Sequence, residues 1–79
     1  MSEFKDLKML YAAEMAKNPS IADNLQGKFR TLWDTGFTGG ALNNLEKAMN
    51  IMATRGWIPK AMTAYDGARV VYVIMEKKE

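Results

Sequence analysis

Neither cysteine nor histidine occurs anywhere in the 79 residues. Without cysteine there is no disulfide framework and no thiolate to act as nucleophile or metal ligand. Zinc, copper and haem sites draw mostly on these two residue types, so a metal site here is restricted to oxygen ligands, and no DxDxDG-like cluster supplies one. No cofactor is expected. No uninterrupted apolar run approaches membrane-spanning length, which argues against a membrane partner. The opening segment Met1-Ser2-Glu3-Phe4-Lys5-Asp6 lacks the apolar core and small-residue cleavage site of a signal peptide, so the cytoplasm is the expected compartment. Charge of one sign is not in excess either: 11 cations face 9 anions, for a net charge of +2. That balance permits a polyanionic partner without arguing for one.

What is present suits a single domain over residues 1–79, with 48% hydrophobic and 25% charged residues. The core of so short a chain is marginal alone, and such chains commonly add disulfides, a metal or a partner subunit. With the first excluded and the second confined to oxygen ligands, self-association is the expected supplement, most simply as a homodimer.

Along the chain, Phe4, Leu7, Leu10, Tyr11 and Met15 recur at helical spacing, which predicts a first helix over 4–17. Leu7, Met9, Tyr11, Ala13 and Met15 also alternate as a strand would. Helix propensity breaks the tie in favour of the helix. Asn18-Pro19-Ser20 interrupts it, with Asn18 or Ser20 available to cap a second helix whose stripe is Ile21, Leu25, Phe29, Leu32 and Trp33. The glycine-rich segment 34–40 reads as a loop with no strand feeding it. A third helix follows over Ala41 to Thr54, burying Leu42, Leu45, Ala48, Met49 and Met52 and stopping at Gly56. Trp57 to Tyr65 and Arg69 to Glu76 then read as a β-hairpin turning at Asp66-Gly67, with Pro59 marking an edge strand.

The C-terminal half, a helix bearing Leu42, Leu45, Met49 and Met52, then Arg55-Gly56-Trp57 and Val71-Tyr72-Val73-Ile74, resembles the small proteins of domain-of-unknown-function family 4177. Members typically end a helix in Glu-Gly-Trp-Glu and continue into a short hairpin. Here Arg55 stands where the family often has an acid, and Ile58-Pro59 replaces the usual pair after the tryptophan. Because members often begin with a strand, the resemblance lends weight to the strand alternative near Leu7 to Ala13. It implies a fold and no activity.

Three groups of residues can carry function. Trp57, following a helix stop, reads first as a core aromatic. It could instead join Tyr65 and Tyr72 in a stacking platform for single-stranded nucleic acid, with Arg55, Lys60 and Arg69 as the phosphate-facing cations. Gly36, Thr38, Gly39 and Gly40 precede a helix and can cradle an anion or nucleotide through backbone amides, although Ala41-Leu42 stands where a P-loop needs Lys-Ser/Thr. Their plainer role is a connector capped by Thr38. The seven methionines fill the core or supply an adaptable protein-binding surface. For catalysis only carboxylates, Lys, Ser, Thr and Tyr remain. Asp34 and Asp66 each sit in an expected loop without a second carboxylate at a meaningful spacing, and nothing marks Lys60 as a desolvated amine.

The expected fold is therefore α+β: two to three helices packed on a short antiparallel sheet, with the C-terminal hairpin completed by an N-terminal strand or a second subunit. The expected function is that of a non-catalytic homo-oligomeric interaction or adaptor protein. Single-stranded nucleic-acid binding is the alternative, and anion binding at residues 36–40 the next.

Overall fold

Seven residues from Phe29 to Thr35 decide the architecture, because they pair one by one with residues 76 back to 70 to make the middle of a four-stranded sheet. A computed structural model describes residues 9–36, 40–65, 67 and 69–78. Within them run β1 (Leu10–Tyr11), α1 (Ala12–Lys17), a 3₁₀ helix (Pro19–Asn24), β2 (Phe29–Thr35), α2 (Gly40–Ala53), β3 (Trp57–Tyr65) and β4 (Val70–Lys77). The fold is α+β, with three helices on a mixed sheet: β1 runs parallel to β2, and the other pairings are antiparallel.

The first segment divides the two readings open to it. Leu10 and Tyr11 pair with Leu32 and Trp33 as an N-terminal strand, and the chain then turns directly into α1, burying Ala12 and Met15. Phe4 and Leu7 of the expected stripe lie outside the described residues. Asn18 N–H closes α1 on the Glu14 carbonyl at 2.9 Å, and Pro19 takes the first position of the 3₁₀ helix, where its missing donor costs nothing. No side chain caps that helix; the Ser20 hydroxyl instead donates to Asn18 Oδ1.

The second helix expected to run on to Trp33 is corrected. It is a single 3₁₀ stretch ending at Asn24. Gly27, at φ 87°, then redirects the chain into β2. Phe29, Thr31 and Trp33 are aromatic and β-branched residues in alternation, a period that competes with the helical one over the same positions. Tertiary pairing decides between them. β4 is apolar on alternate positions throughout and takes a neighbour on each side, and β2 supplies one of them along its whole length. Asp34, expected in a loop, is accordingly the buried sixth residue of β2, and a strand does feed the glycine-rich segment.

α2 buries Leu45, Ala48 and Met52 against Leu32, Val71, Val73 and Met75. Leu42, expected on that face, is 49% exposed; the buried stripe of α2 begins one turn later, at Leu45. At the other end the hydrogen bonds tighten from Thr54 N–H on Asn50 to Gly56 N–H on Ala53, and Gly56 at φ 89° ends the helix as expected. Trp57 then enters the core at 1% exposure.

In the hairpin, Pro59 pairs with Met75 and Ala61 with Ile74, so Lys60 is an extra residue that forms a bulge in the outermost strand. Pro59 at a sheet edge is as expected. The turn is longer than the dipeptide Asp66-Gly67: Tyr65 pairs with Val70, leaving residues 66–69 between the strands, with Gly67 at φ 65°. Asp66 lies outside the described residues.

Candidate interaction surface

Side chains alternate across a strand, so the buried set on β4, Val71, Val73 and Met75, fixes the other face of the sheet by subtraction. Tyr72 and Ile74 point to that opposite face, together with Phe29, Thr31 and Trp33 of β2, which register with Glu76, Ile74 and Tyr72. Thr63 and Ala61 of β3 join them, opposite Tyr72 and Ile74. None of the described helices packs there, since the helical core residues meet the sheet on the side of Leu32 and Val73.

This open face is aromatic and apolar. The Tyr11 and Trp33 rings lie 4.8 Å apart, tilted by 32°. Tyr65 and Tyr72 meet edge to face at 5.7 Å. From Tyr65 and Tyr72 toward Phe29 runs a trough in two adjoining parts of about 490 and 410 Å³, which share Thr31, Ala61 and Ile74 in their lining. Its rim exposes Met9 by 53% and Tyr65 by 59%, while Ile74 in its floor is 40% exposed.

Charge on this face converges on one carboxylate. Lys60 Nζ lies 3.3 Å and Lys28 Nζ 3.8 Å from Glu76, and Lys28 also stands 5.8 Å from the centre of the Phe29 ring. Two half-exposed cations thus share one partly buried anion, which leaves a single net positive charge at this end of the face.

The six residues expected to form a nucleic-acid platform are dispersed. Tyr65 and Tyr72 are in contact on the open face, and Lys60 borders the trough. Trp57 is a core residue; Lys77 Nζ lies 5.5 Å from its ring centre and donates to the Arg55 carbonyl at 2.9 Å. Arg55 sits at the end of α2, where its guanidinium pairs with Asp23 at 2.8 Å. Arg69 is exposed in the hairpin connection, and its carbonyl accepts the Gly36 N–H. Burial lowers the Arg30 guanidinium below its ordinary pKa, and Arg30 registers with Met75 on the helix side of the sheet, away from the trough.

Of the expected anion loop, Gly36 is bonded to Arg69 and Gly40 opens α2 with free space beside it, whereas Thr38 and Gly39 lie outside the described residues. Asp34 is fully buried nearby. Its Oδ1 accepts the Thr35 N–H at 2.6 Å, and among the described residues Oδ2 has no hydrogen-bond partner. No cluster of three acidic side chains suited to a metal ion occurs among the described residues. No described helix is long and apolar enough to cross a membrane.

Sequence reasoning missed Met9, Tyr11, Phe29, Thr31, Trp33 and Ile74 as members of a shared face. The alternation Phe29-Thr31-Trp33 was the available signal, and it belonged to a segment whose helical period was equally good. Searches against protein-family models, curated proteins and solved structures find no match for the chain.

Proposed function

We propose that this chain is a small homo-oligomeric interaction or adaptor protein of the cytoplasm, without catalytic chemistry of its own, working through the open face of its sheet and the β3 rim beside it. One observation carries the reading. Among the described residues no helix covers one side of the sheet, and that side is lined mainly by apolar and aromatic residues, Met9, Tyr65, Tyr72 and Ile74 among them. Contiguous exposed apolar surface of this kind marks contact sites in stable monomers and assemblies alike. The small net charge of Lys28, Glu76 and Lys60, a single positive unit, supports a protein partner over a polyanion, because so few cations release few counterions.

Sedimentation equilibrium at low and moderate salt tests this. The wild-type chain self-associates with little salt dependence, and Tyr65→Lys weakens association at least tenfold. A monomer at every concentration would overturn the reading.

A second reading rests on the stacked pairs Tyr11/Trp33 and Tyr65/Tyr72, since aromatic side chains on an open four-stranded sheet are what single-stranded nucleic acid stacks on. Fluorescence anisotropy of a labelled mixed-sequence RNA decides it. Binding at low salt that collapses with added salt and falls on Trp33→Ala favours nucleic acid; no binding at low salt removes it.

A further inference from the structure

From the free edge of β3 we infer that a second copy of this chain docks there, strand against strand and antiparallel, about a two-fold axis at Thr63. The inference rests on the self-association reading and specifies its geometry. Beyond Trp57 every residue of β3 is exposed, on both sides of the sheet, and among the described residues β4 is its sole neighbour.

The direction of the backbone groups follows from the ladder. Gly36 N–H donates to the Arg69 carbonyl at 2.9 Å, and Lys77 N–H to the Lys28 carbonyl at 2.8 Å. Hydrogen-bonded and non-hydrogen-bonded pairs alternate along antiparallel strands, so the odd-numbered residues of β4 turn their N–H and C=O groups toward β2, and Tyr72 and Ile74 turn theirs toward β3. Thr63 and Ala61, opposite those two, answer them. Met62 and Ala64 consequently present their N–H and C=O groups outward. Pro59, opposite Met75, obeys the same rule: its missing donor falls on the outer side, where the ladder loses nothing.

The edge is divided in two. Pro59, Lys60 and the bulge between Pro59 and Ala61 block the first half, as edge strands commonly are blocked. The second half, Ala61-Met62-Thr63-Ala64-Tyr65, carries no charge, no proline and no glycine. Paired with itself about Thr63, it is self-complementary in size. Met62 of one copy meets Ala64 of the other on the helix side, Tyr65 meets Ala61 on the open side, and Thr63 meets Thr63, a favourable cross-strand pair. Met62 and Ala64 exchange both backbone hydrogen bonds, twice by symmetry. No like charges are brought together. An axis normal to the sheet also puts both open faces on the same side, so the two troughs adjoin as one surface.

Because the chain has no cysteine, single introduced thiols test the register. In this pairing the Thr63 Cα atoms of the two copies lie about 4.5 Å apart, within disulfide reach, whereas the Ala61 Cα atoms are about 14 Å apart. Thr63→Cys is expected to cross-link into a dimer under mild oxidation, and Ala61→Cys to remain uncross-linked. Ala64→Pro removes an outward donor without touching the β3–β4 ladder, and is expected to stay folded and to lose association at least tenfold. A wild-type chain that is monomeric throughout would sink the self-association reading and this inference together. A wild-type dimer that Ala64→Pro leaves intact, or equal cross-linking of the two cysteine variants, would overturn the β3 register alone.

Discussion

The two sides of β4 carry side chains of similar apolarity and have opposite fates. Val71, Val73 and Met75 are sealed in one core with Trp57 and the buried residues of α1 and α2, while Tyr72 and Ile74 on the reverse meet no described helix. The difference lies in the number of covering elements, not in the chemistry of the strand. Among the described residues there is helix over one face of the four-stranded sheet alone. Apolar residues on the other face have no described helix over them, which is the basis of the contact surface proposed above.

The comparison breaks first at the covered face. Trp57→Ala removes the largest fully buried side chain and is expected to cost about 3–5 kcal/mol, enough to lower the thermal midpoint steeply or leave the chain unfolded, as circular dichroism would read. Gly56→Ala acts on the entry of that tryptophan. The nearest atoms to an added Cβ are 3.8 Å away, so the penalty is conformational alone, from φ 89°, and amounts to about 1–2 kcal/mol in a denaturant melt. On the open face the effects separate. Tyr65→Lys, which loses the edge-to-face contact with Tyr72, is expected to lower the stability of the monomer by about 1 kcal/mol or less while reducing association at least tenfold, an outcome that sharpens the distinction between fold and contact. The smallest expected effect on stability is that of Glu76→Gln, within about 0.5 kcal/mol, because its ion pairs involve half-exposed lysines. The same change releases Lys28 and Lys60, so a gain of RNA binding at low salt would show that Glu76 holds the face against polyanions.

Legibility along the sequence followed the strength of local signals. α2, its stop at Gly56, the burial of Trp57 and the hairpin strands were readable because a helical stripe, a glycine and a run of Val and Tyr each point one way. β2 was not readable, since Phe29 to Trp33 satisfies both periods and only its pairing with β4 decides between them. The open face was lost with it. Once Phe29 and Trp33 are assigned to a helix, Tyr11 has no ring to meet and the trough has no floor. Asp34 shows the same dependence: an acid before Thr-Gly suggests a turn, and burial in a strand becomes visible only when the sheet is assembled.

Amide hydrogen exchange across β3, measured residue by residue at several protein concentrations, tests the account most directly. Ala61, Thr63 and Tyr65 are bonded toward β4 and should be protected at every concentration, whereas Met62 and Ala64 should gain protection as concentration rises and the second copy docks. Free exchange of Met62 and Ala64 at all concentrations would contradict it.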